Sequence, residues 1–180
     1  MASALDQTDE STIASTTSTY RRPGRAPNGV ELELLALIEK GKRCEPVDSA
    51  LIMGLYRQLE PVSIQFMIGC WHGSLFNGQS GDGWWGKNMI SAGHVQPLLF
   101  QRPNGEVFSN EAWGLAHLEL GSFDTLSPTA MLKYNDKPLH DFFRRVTDET
   151  VIGLTPAALV GGEADFFFQL TRDHNTKVVP

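Results

Sequence analysis

The five-residue run from Gly69 to Gly73, which reads Gly-Cys-Trp-His-Gly, constrains the fold more than any other part of the chain. With the two-residue period of a strand, the apolar run 67–76 places Trp71 on one face between the two glycines. Glycine inside a strand marks a bend, a bulge or a close approach of another backbone. We therefore predict a sheet that curls into a barrel. Trp71 is then either an ordinary core side chain or the floor of a ligand cavity.

Short strands account for most of the chain beyond the first 60 residues. The pair Asn104-Gly105 lies between two predicted strands, 97–102 and 106–113, and predicts a hairpin with a two-residue turn. Many short antiparallel strands with Gly-rich turns favour a sandwich or a barrel. Further strands are predicted at 115–120, 129–134, 150–155 and 165–172, whereas 138–146 fits a short helix as well as a strand.

The predicted fold is mainly β, an antiparallel β-barrel preceded by two N-terminal helices. A tryptophan flanked by glycine also resembles the opening strand of lipocalin-type barrels, so we expect a lipocalin-like barrel. Asn28 and Glu31 can form a capping box for the first helix, which Gly41 can end. Asp48 can cap the second helix, and Pro61 stops it.

The first 29 residues differ in composition from the rest. They are rich in Ser and Thr, carry a small cluster of Arg and contain little apolar surface to offset the entropy of ordering. We predict a disordered leader at 1–29. The remainder is long enough for one ordinary core, so 30–180 is predicted to be a single barrel domain with a helical lead-in at 30–60.

Composition excludes several classes of function. The chain of 180 residues has a formal net charge of -6 and no dense Lys/Arg patch, so nucleic-acid binding is not expected. Two cysteines make no disulfide framework, which favours a reducing compartment. The sequence shows no secretory signal and no run long enough to span a membrane. We therefore expect a cytoplasmic protein; the oligomeric state stays open.

The motif and the sequence after it resemble the family named after Gly-x-Trp-x-Gly, together with its companion C-terminal domain of unknown function. The resemblance extends from Pro61 to Arg172. It rests on the runs 83–87, 94–100, 131–138, 141–146, 148–153 and 166–172. It implies that 61–128 is the Gly-x-Trp-x-Gly segment and 129–174 the companion segment. It implies no activity, because the family is named for a motif.

Motifs for metal or nucleotide chemistry are sparse. The five histidines show no spacing typical of a zinc site, and the sequence has no phosphate-binding P-loop. The glycine-rich run 78–83 does not lie between a strand and a capped helix, so we interpret it as a loop. We predict neither a metal ion nor a cofactor.

Amphipathic side chains lie where the walls of a barrel are expected. Trp85 and Lys87 would share one strand face, which places an aromatic surface beside a cation. His94 is either a hydrogen-bonding group in the cavity or a surface residue at the start of a strand. Asp136 could orient His140 for proton transfer, although an Asp at this position is also typical of a turn.

The candidate site is drawn from these groups. Asp141 is left out, because we expect it to form a surface ion pair with Arg144 or Arg145. The predicted catalytic residues are His94, Lys87 and Tyr134. The predicted ligand-binding residues are Trp71, Trp84, Trp85, Phe100, Trp113, Asp136 and His140.

Three classes of function fit this pattern. The first is a cofactor-independent enzyme that binds a terpenoid- or polyketide-like molecule and promotes isomerisation or cyclisation, including a pericyclic ring closure of the Diels-Alder type in secondary metabolism. The second is a carrier of a lipid, a hydrophobic metabolite or haem, with His94 as a possible iron ligand. The third is an assembly module with a filled barrel. The absence of a nucleophile or nucleotide motif favours the first class.

Overall fold

The computed structural model describes residues 26–76 and 83–179. Most of the predicted leader therefore lies outside the described residues, as does most of the glycine-rich run 78–83. The helices are α1 (Gly29–Lys42), α2 (Ser49–Tyr56), α3 (Ile64–Met67) and α4 (Ala157–Val160), with a 3-10 helix at Glu111–Trp113. The strands are β1 (Glu60–Pro61), β2 (Gly69–Leu75), β3 (Trp84–Ser91), β4 (His94–Gln101), β5 (Val107–Ser109), β6 (Ala116–Gly121), β7 (Thr129–Tyr134), β8 (His140–Arg145), β9 (Thr150–Thr155), β10 (Phe166–Asp173) and β11 (Val178–Val179).

Eight of these strands close into an antiparallel barrel, which confirms the predicted mainly β barrel. Their order is β4-β3-β2-β10-β9-β8-β7-β6, and β6 pairs back onto β4 through Val95 and Ala116. The Leu118 N–H donates to the Ala92 carbonyl at 2.7 Å and adds to this closure. Strands from both predicted family segments thus belong to one closed sheet.

Three helices, rather than two, precede the first barrel strand. The backbone N–H of Glu31 donates to Asn28 Oδ1 at 3.0 Å, and Glu31 Oε2 accepts from the Asn28 N–H at 2.6 Å, so α1 begins with a capping box. The extra helix is α3, whose Phe66 N–H donates to Ser63 Oγ at 3.1 Å. Because this cap makes Met67 helical, the first barrel strand starts at Gly69 rather than at the predicted residue 67.

The hairpin around Asn104-Gly105 is present, but its turn differs from the predicted one. Gly105 has a φ of 89° and is the turn residue with positive φ, whereas a two-residue turn of the predicted type needs positive φ at Asn104 as well. The Gly105 N–H donates to the Arg102 carbonyl at 2.9 Å, and the Arg102 N–H donates to the Glu106 carbonyl. Three residues, 103–105, therefore lie between the hydrogen-bonded residues Arg102 and Glu106. The predicted strand 106–113 also stops at Ser109, where Asn110 caps the 3-10 helix.

The remaining strands follow the prediction closely. β7 and β9 have the predicted bounds, β6 and β10 each lie one residue later at both ends, and the ambiguous segment 138–146 contains the strand β8. Alternation along these strands separates an inner core from an outer one. Inside the barrel lie Trp71, Met89 and Phe143, among others. Outside it, α1 and α2 pack on β7 to β10, and the Tyr56 hydroxyl donates to the Phe142 carbonyl at 3.1 Å.

No helix among the described residues is both long and apolar enough to cross a lipid bilayer.

Candidate functional site

One end of the barrel interior is hollow. A cavity of about 220 Å³ lies where β2 ends and β3 begins. Its wall is mostly aromatic and aliphatic, and its polar groups converge from β3, β7, β8 and β9. The lining residues are Leu75, Trp84, Lys87, Leu98, Phe100, Trp113, Tyr134, Asp141, Thr155, Phe166 and Phe168. We call this region the cavity end.

The opposite end of the interior, which we call the packed end, is filled by Met67, Trp71, Met89 and their neighbours. The Trp71 indole is fully buried, and its N–H donates to the Met67 carbonyl at 2.7 Å. The guanidinium carbon of Arg172 lies 4.1 Å from the centre of the same ring. Trp71 is therefore a core side chain and does not line the cavity.

The second glycine of the motif acts at the cavity end. The tip of the Trp84 indole lies directly over Gly73, so that a Cβ at this position would overlap the ring. The Trp84 N–H donates to the Gly86 carbonyl at 2.9 Å, which fixes the indole in this orientation. Gly73 thus makes room for a wall residue of the cavity.

A bulge in β3 decides which of its side chains face the cavity. The register against β4 shifts between Trp84 and Gly86, and Gly86 lies so close to the Trp71 carbonyl that a Cβ would collide with it. A bulge inserts one residue and breaks the alternation of faces. As a result Trp84 and Lys87 both line the cavity. The expectation that Trp85 shares a face with Lys87 is wrong, because Trp85 lies outside the barrel.

Lys87 is the charged group at the base of the cavity, and only 2% of its side chain is exposed. Its Nζ donates to Tyr134 Oη at 3.0 Å and to the Pro97 carbonyl at 3.1 Å. The same nitrogen lies 3.0 Å from Asp141 Oδ2. Three aromatic rings surround the ammonium, with ring centres 5.1–5.8 Å from Nζ. Such a box stabilises a desolvated cation.

Asp141 is the counter-ion of Lys87. Its carboxylate is 3% exposed, and Oδ1 accepts a hydrogen bond from Thr155 Oγ1 at 2.6 Å. The predicted surface ion pair of Asp141 with an arginine is therefore wrong. Asp141 and Arg144 lie on opposite faces of β8, and Arg145 pairs instead with Glu60 and Asp148. Arg144 instead donates to the carbonyls of Leu59 and Ser127 outside the barrel.

These contacts fix the protonation of the polar groups. Burial alone would lower the pKa of Lys87, but the Asp141 carboxylate and the Tyr134 oxygen outweigh it, so the pKa lies above its ordinary value. Burial, together with the charge of Asp141, raises the pKa of Tyr134 to about 12. At neutral pH Lys87 is therefore an ammonium and Tyr134 a protonated phenol. The phenol can donate a hydrogen bond, and in this structure its O–H donates to Asp141 Oδ2 at 3.3 Å.

The structure brings five of the ten predicted site residues together in the cavity lining: Lys87, Trp84, Phe100, Trp113 and Tyr134. The other five lie elsewhere. Trp71 fills the packed end, and Trp85 packs outside the barrel against His72, with ring centres 5.1 Å apart. His94 is exposed at the start of β4, and Asp136 is exposed in the turn after β7. His140 is half-buried in β8 but is not part of the lining.

Sequence reasoning missed Asp141, Thr155 and Phe168. A signal existed for the first two: if both 140–145 and 150–155 are strands that alternate faces, Asp141 shares a face with Phe143, and Thr155 shares one with Val151. Phe143 and Val151 are apolar residues of an inner face. A carboxylate and a hydroxyl on that face predict a polar site. This inference could not be made while 138–146 fitted a helix as well as a strand.

Other groups in the molecule bear on the chemistry. On the outer face of β2, burial and the nearby Asp173 charge raise the pKa of the Cys70 thiol to about 11, so the thiol is not a nucleophile at neutral pH. A polar concavity beside it includes His72, Gln169 and Asp173. Among residues 26–76 and 83–179, no three His, Cys, Asp or Glu side chains converge to hold a metal ion.

Two family models match the chain in succession. The first is described as GXWXG protein and matches residues 54–105, and the second is a domain of unknown function (DUF4334) that matches residues 116–172. The first match contains Trp84 and Lys87, whereas the second contains Tyr134, Asp141 and Thr155. The two matched segments therefore contribute jointly to one cavity. No curated protein matches the chain.

A crystal structure of a protein from Thermomonospora curvata is similar to this chain. The two share 34% sequence identity, and the match covers 81% of this chain and 99% of the other, with a TM-score of 0.71. Identity at this level over nearly the whole of that protein indicates common descent as well as a common fold.

Proposed function

This chain belongs to the GXWXG protein family, and from its cavity we propose that it binds a small apolar molecule and promotes an isomerisation or cyclisation of that molecule without a cofactor. The observation that carries the proposal is the buried group of Lys87, Tyr134 and Asp141 at the base of an apolar cavity. Use of the barrel interior for one guest is the lipocalin-like part of the proposal.

Tyr134 is the residue we expect to contact the guest. Its oxygen already accepts a hydrogen bond from Lys87 at 3.0 Å, while its bond to Asp141 at 3.3 Å is long. The phenol can therefore turn its proton to a carbonyl oxygen in the cavity. The adjacent ammonium strengthens this donor, because it stabilises negative charge that develops on the phenol oxygen.

A carbonyl that accepts this hydrogen bond withdraws electron density from a conjugated double bond. Ring closure or isomerisation at that bond becomes easier when the cavity also holds the reacting ends together. Trp84, Phe100 and Phe168 provide apolar walls that fold a flexible chain. A pericyclic ring closure needs only these two effects, so we retain it as the specific form of the proposal.

The size of the cavity limits the guest. Its volume of about 220 Å³ is below the roughly 300–1,000 Å³ of pockets that hold drug-sized ligands. This favours a compact, terpenoid-like molecule over a long polyketide. We also retain two expectations: a cytoplasmic location, which rests on the composition of the chain, and a role in secondary metabolism, which rests on the proposed ring closure.

Carriage without conversion is the second candidate, and one observation favours it. The three N–H groups of Lys87 are matched by three protein acceptors, namely Tyr134 Oη, Asp141 Oδ2 and the Pro97 carbonyl. The ammonium is thus fully hydrogen-bonded before a guest enters, so Lys87 has no unused donor with which to act on the guest. The haem variant of this candidate loses its proposed ligand, because His94 is exposed outside the cavity.

The two candidates are separated by following small molecules from an extract of the producing cells, incubated with the purified full chain, by mass spectrometry. Catalysis predicts that a metabolite is consumed by the wild type and by His94→Ala, whose change is exposed, but not by Tyr134→Phe. Carriage predicts stoichiometric retention of an unchanged metabolite. A chain that neither converts nor retains any metabolite contradicts both.

A further inference from the structure

We propose that Asp141 restricts the cavity to uncharged guests by neutralising Lys87. This inference rests on the proposed binding function and names the class of molecule bound. It makes Asp141 a residue that determines specificity, beyond its role as the partner of a buried lysine.

The charges of the cavity lining balance. Among its described residues the lining contains one cationic side chain, Lys87, and one anionic side chain, Asp141, which form an ion pair at 3.0 Å. Both are almost fully buried, so water does not compensate a charge brought next to them. A guest with a net charge would therefore lose its hydration without gaining a counter-ion.

The hydrogen bonds of the pair are also taken. Asp141 Oδ1 accepts from Thr155, and Oδ2 lies within reach of both Lys87 and Tyr134. A carboxylate guest would find no charged donor with an unused proton and would lie close to the Asp141 carboxylate. An uncharged acceptor needs only the single proton of Tyr134. The geometry thus favours ketones, aldehydes and esters over carboxylic acids.

The same geometry predicts how to reverse the preference. Asp141→Asn keeps the shape of the side chain and an oxygen that accepts from Lys87 or Thr155, but it removes the negative charge. The ammonium of Lys87 is then uncompensated and attracts a carboxylate. The variant Lys87→Met/Asp141→Leu removes both charges and restores a neutral site, so it serves as the control.

The test measures the affinity of the full chain for 2-nonanone, methyl nonanoate and nonanoate by calorimetric or NMR titration at pH 7. These three probes differ little in their hydrocarbon chain. We expect the wild type to bind the ketone and the ester at least about tenfold more tightly than the carboxylate. We expect Asp141→Asn to prefer the carboxylate and the double variant to keep the wild-type order.

Each outcome decides the matter. A wild type that prefers nonanoate, or binds all three probes equally, overturns the charge selectivity but leaves binding intact. If folded Asp141→Asn keeps the wild-type order of affinities for the three probes, the charge selectivity is also overturned. If that variant does not fold, the affinities of the wild type and of the double variant provide the test. Failure of the wild type to bind any probe overturns both the selectivity and the proposed binding function.

Discussion

The two ends of this barrel are formed by the same strands, but one end is filled by side chains and the other contains a cavity. At the packed end, Met67, Trp71 and Met89 are fully buried, and α3 lies against the strands. At the cavity end, β3 carries Trp84 and Lys87 around an empty volume instead. The motif serves both, because Trp71 fills one end and Gly73 makes room for the indole that lines the other. A short motif thus sets the boundary between core and cavity.

The largest effect is expected at the packed end. Trp71→Ala removes a fully buried indole with a buried hydrogen bond, and we expect it to lower the free energy of unfolding by roughly 3–5 kcal/mol. The half-buried Trp113, which lines the cavity, is the matched control. Urea unfolding followed by circular dichroism measures both. An equal loss for Trp113→Ala would mean that the two ends are packed alike.

The buried ion pair gives the next largest effect. Lys87→Met leaves Asp141 buried without its counter-ion, and we expect the free energy of unfolding to fall by roughly 3–5 kcal/mol. The double variant Lys87→Met/Asp141→Leu is expected to regain most of this stability in the same unfolding assay. A double variant less stable than Lys87→Met would show that the pair itself stabilises the fold.

A smaller effect is expected where the two ends meet. Gly73→Ala places a methyl group against the Trp84 ring, which must move into the cavity. Overpacking of this kind costs about 1–3 kcal/mol, and we expect weaker binding of 2-nonanone. Gly93→Ala, at a glycine with open space around it, is the control. Unchanged binding by Gly73→Ala would show that Trp84 does not shape the cavity.

The pH dependence that Lys87 and Tyr134 add to the stability of the fold is expected only at alkaline pH. The folded chain raises the pKa of both Lys87 and Tyr134, the latter to about 12. Their contribution to stability is therefore complete below the unfolded values of roughly 10 and is lost as the pH rises through the folded ones. Unfolding titrations between about pH 10 and 12 should show a decline. The decline in stability should be shallower in the double variant, because that variant lacks Lys87 and its raised pKa. An identical decline in both proteins would show that Lys87 does not contribute to it.

Local pattern predicted much of the fold. Short strand-like runs separated by turn signals predicted the bounds of β7 and β9 to the residue, and the glycines of the motif indicated a curved sheet. The strand pairings that close the barrel could not be predicted in the same detail, because they join residues that are distant in sequence. Trp71 pairs with Arg172 across β2 and β10, and Val95 with Ala116 across β4 and β6.

The candidate site was less predictable than the fold. Lys87 was found because it follows two tryptophans in a predicted barrel wall, and Tyr134 because it lies at the predicted turn before Pro138. Their partner Asp141 was missed because its strand was ambiguous and arginines follow it in sequence. Trp85 was given the wrong face because the bulge at Gly86 reverses the alternation there. One unpredicted residue in a strand is enough to move a side chain from the cavity to the outer surface.

The most direct test of this account is a crystal structure of the full chain soaked with 2-nonanone. We expect the ketone inside the cavity end, with its oxygen within hydrogen-bond distance of Tyr134 Oη and its chain against Trp84 and Phe168. A cavity end filled by protein side chains, or a ketone bound only on the outer surface, would contradict the claim that the barrel encloses a binding site.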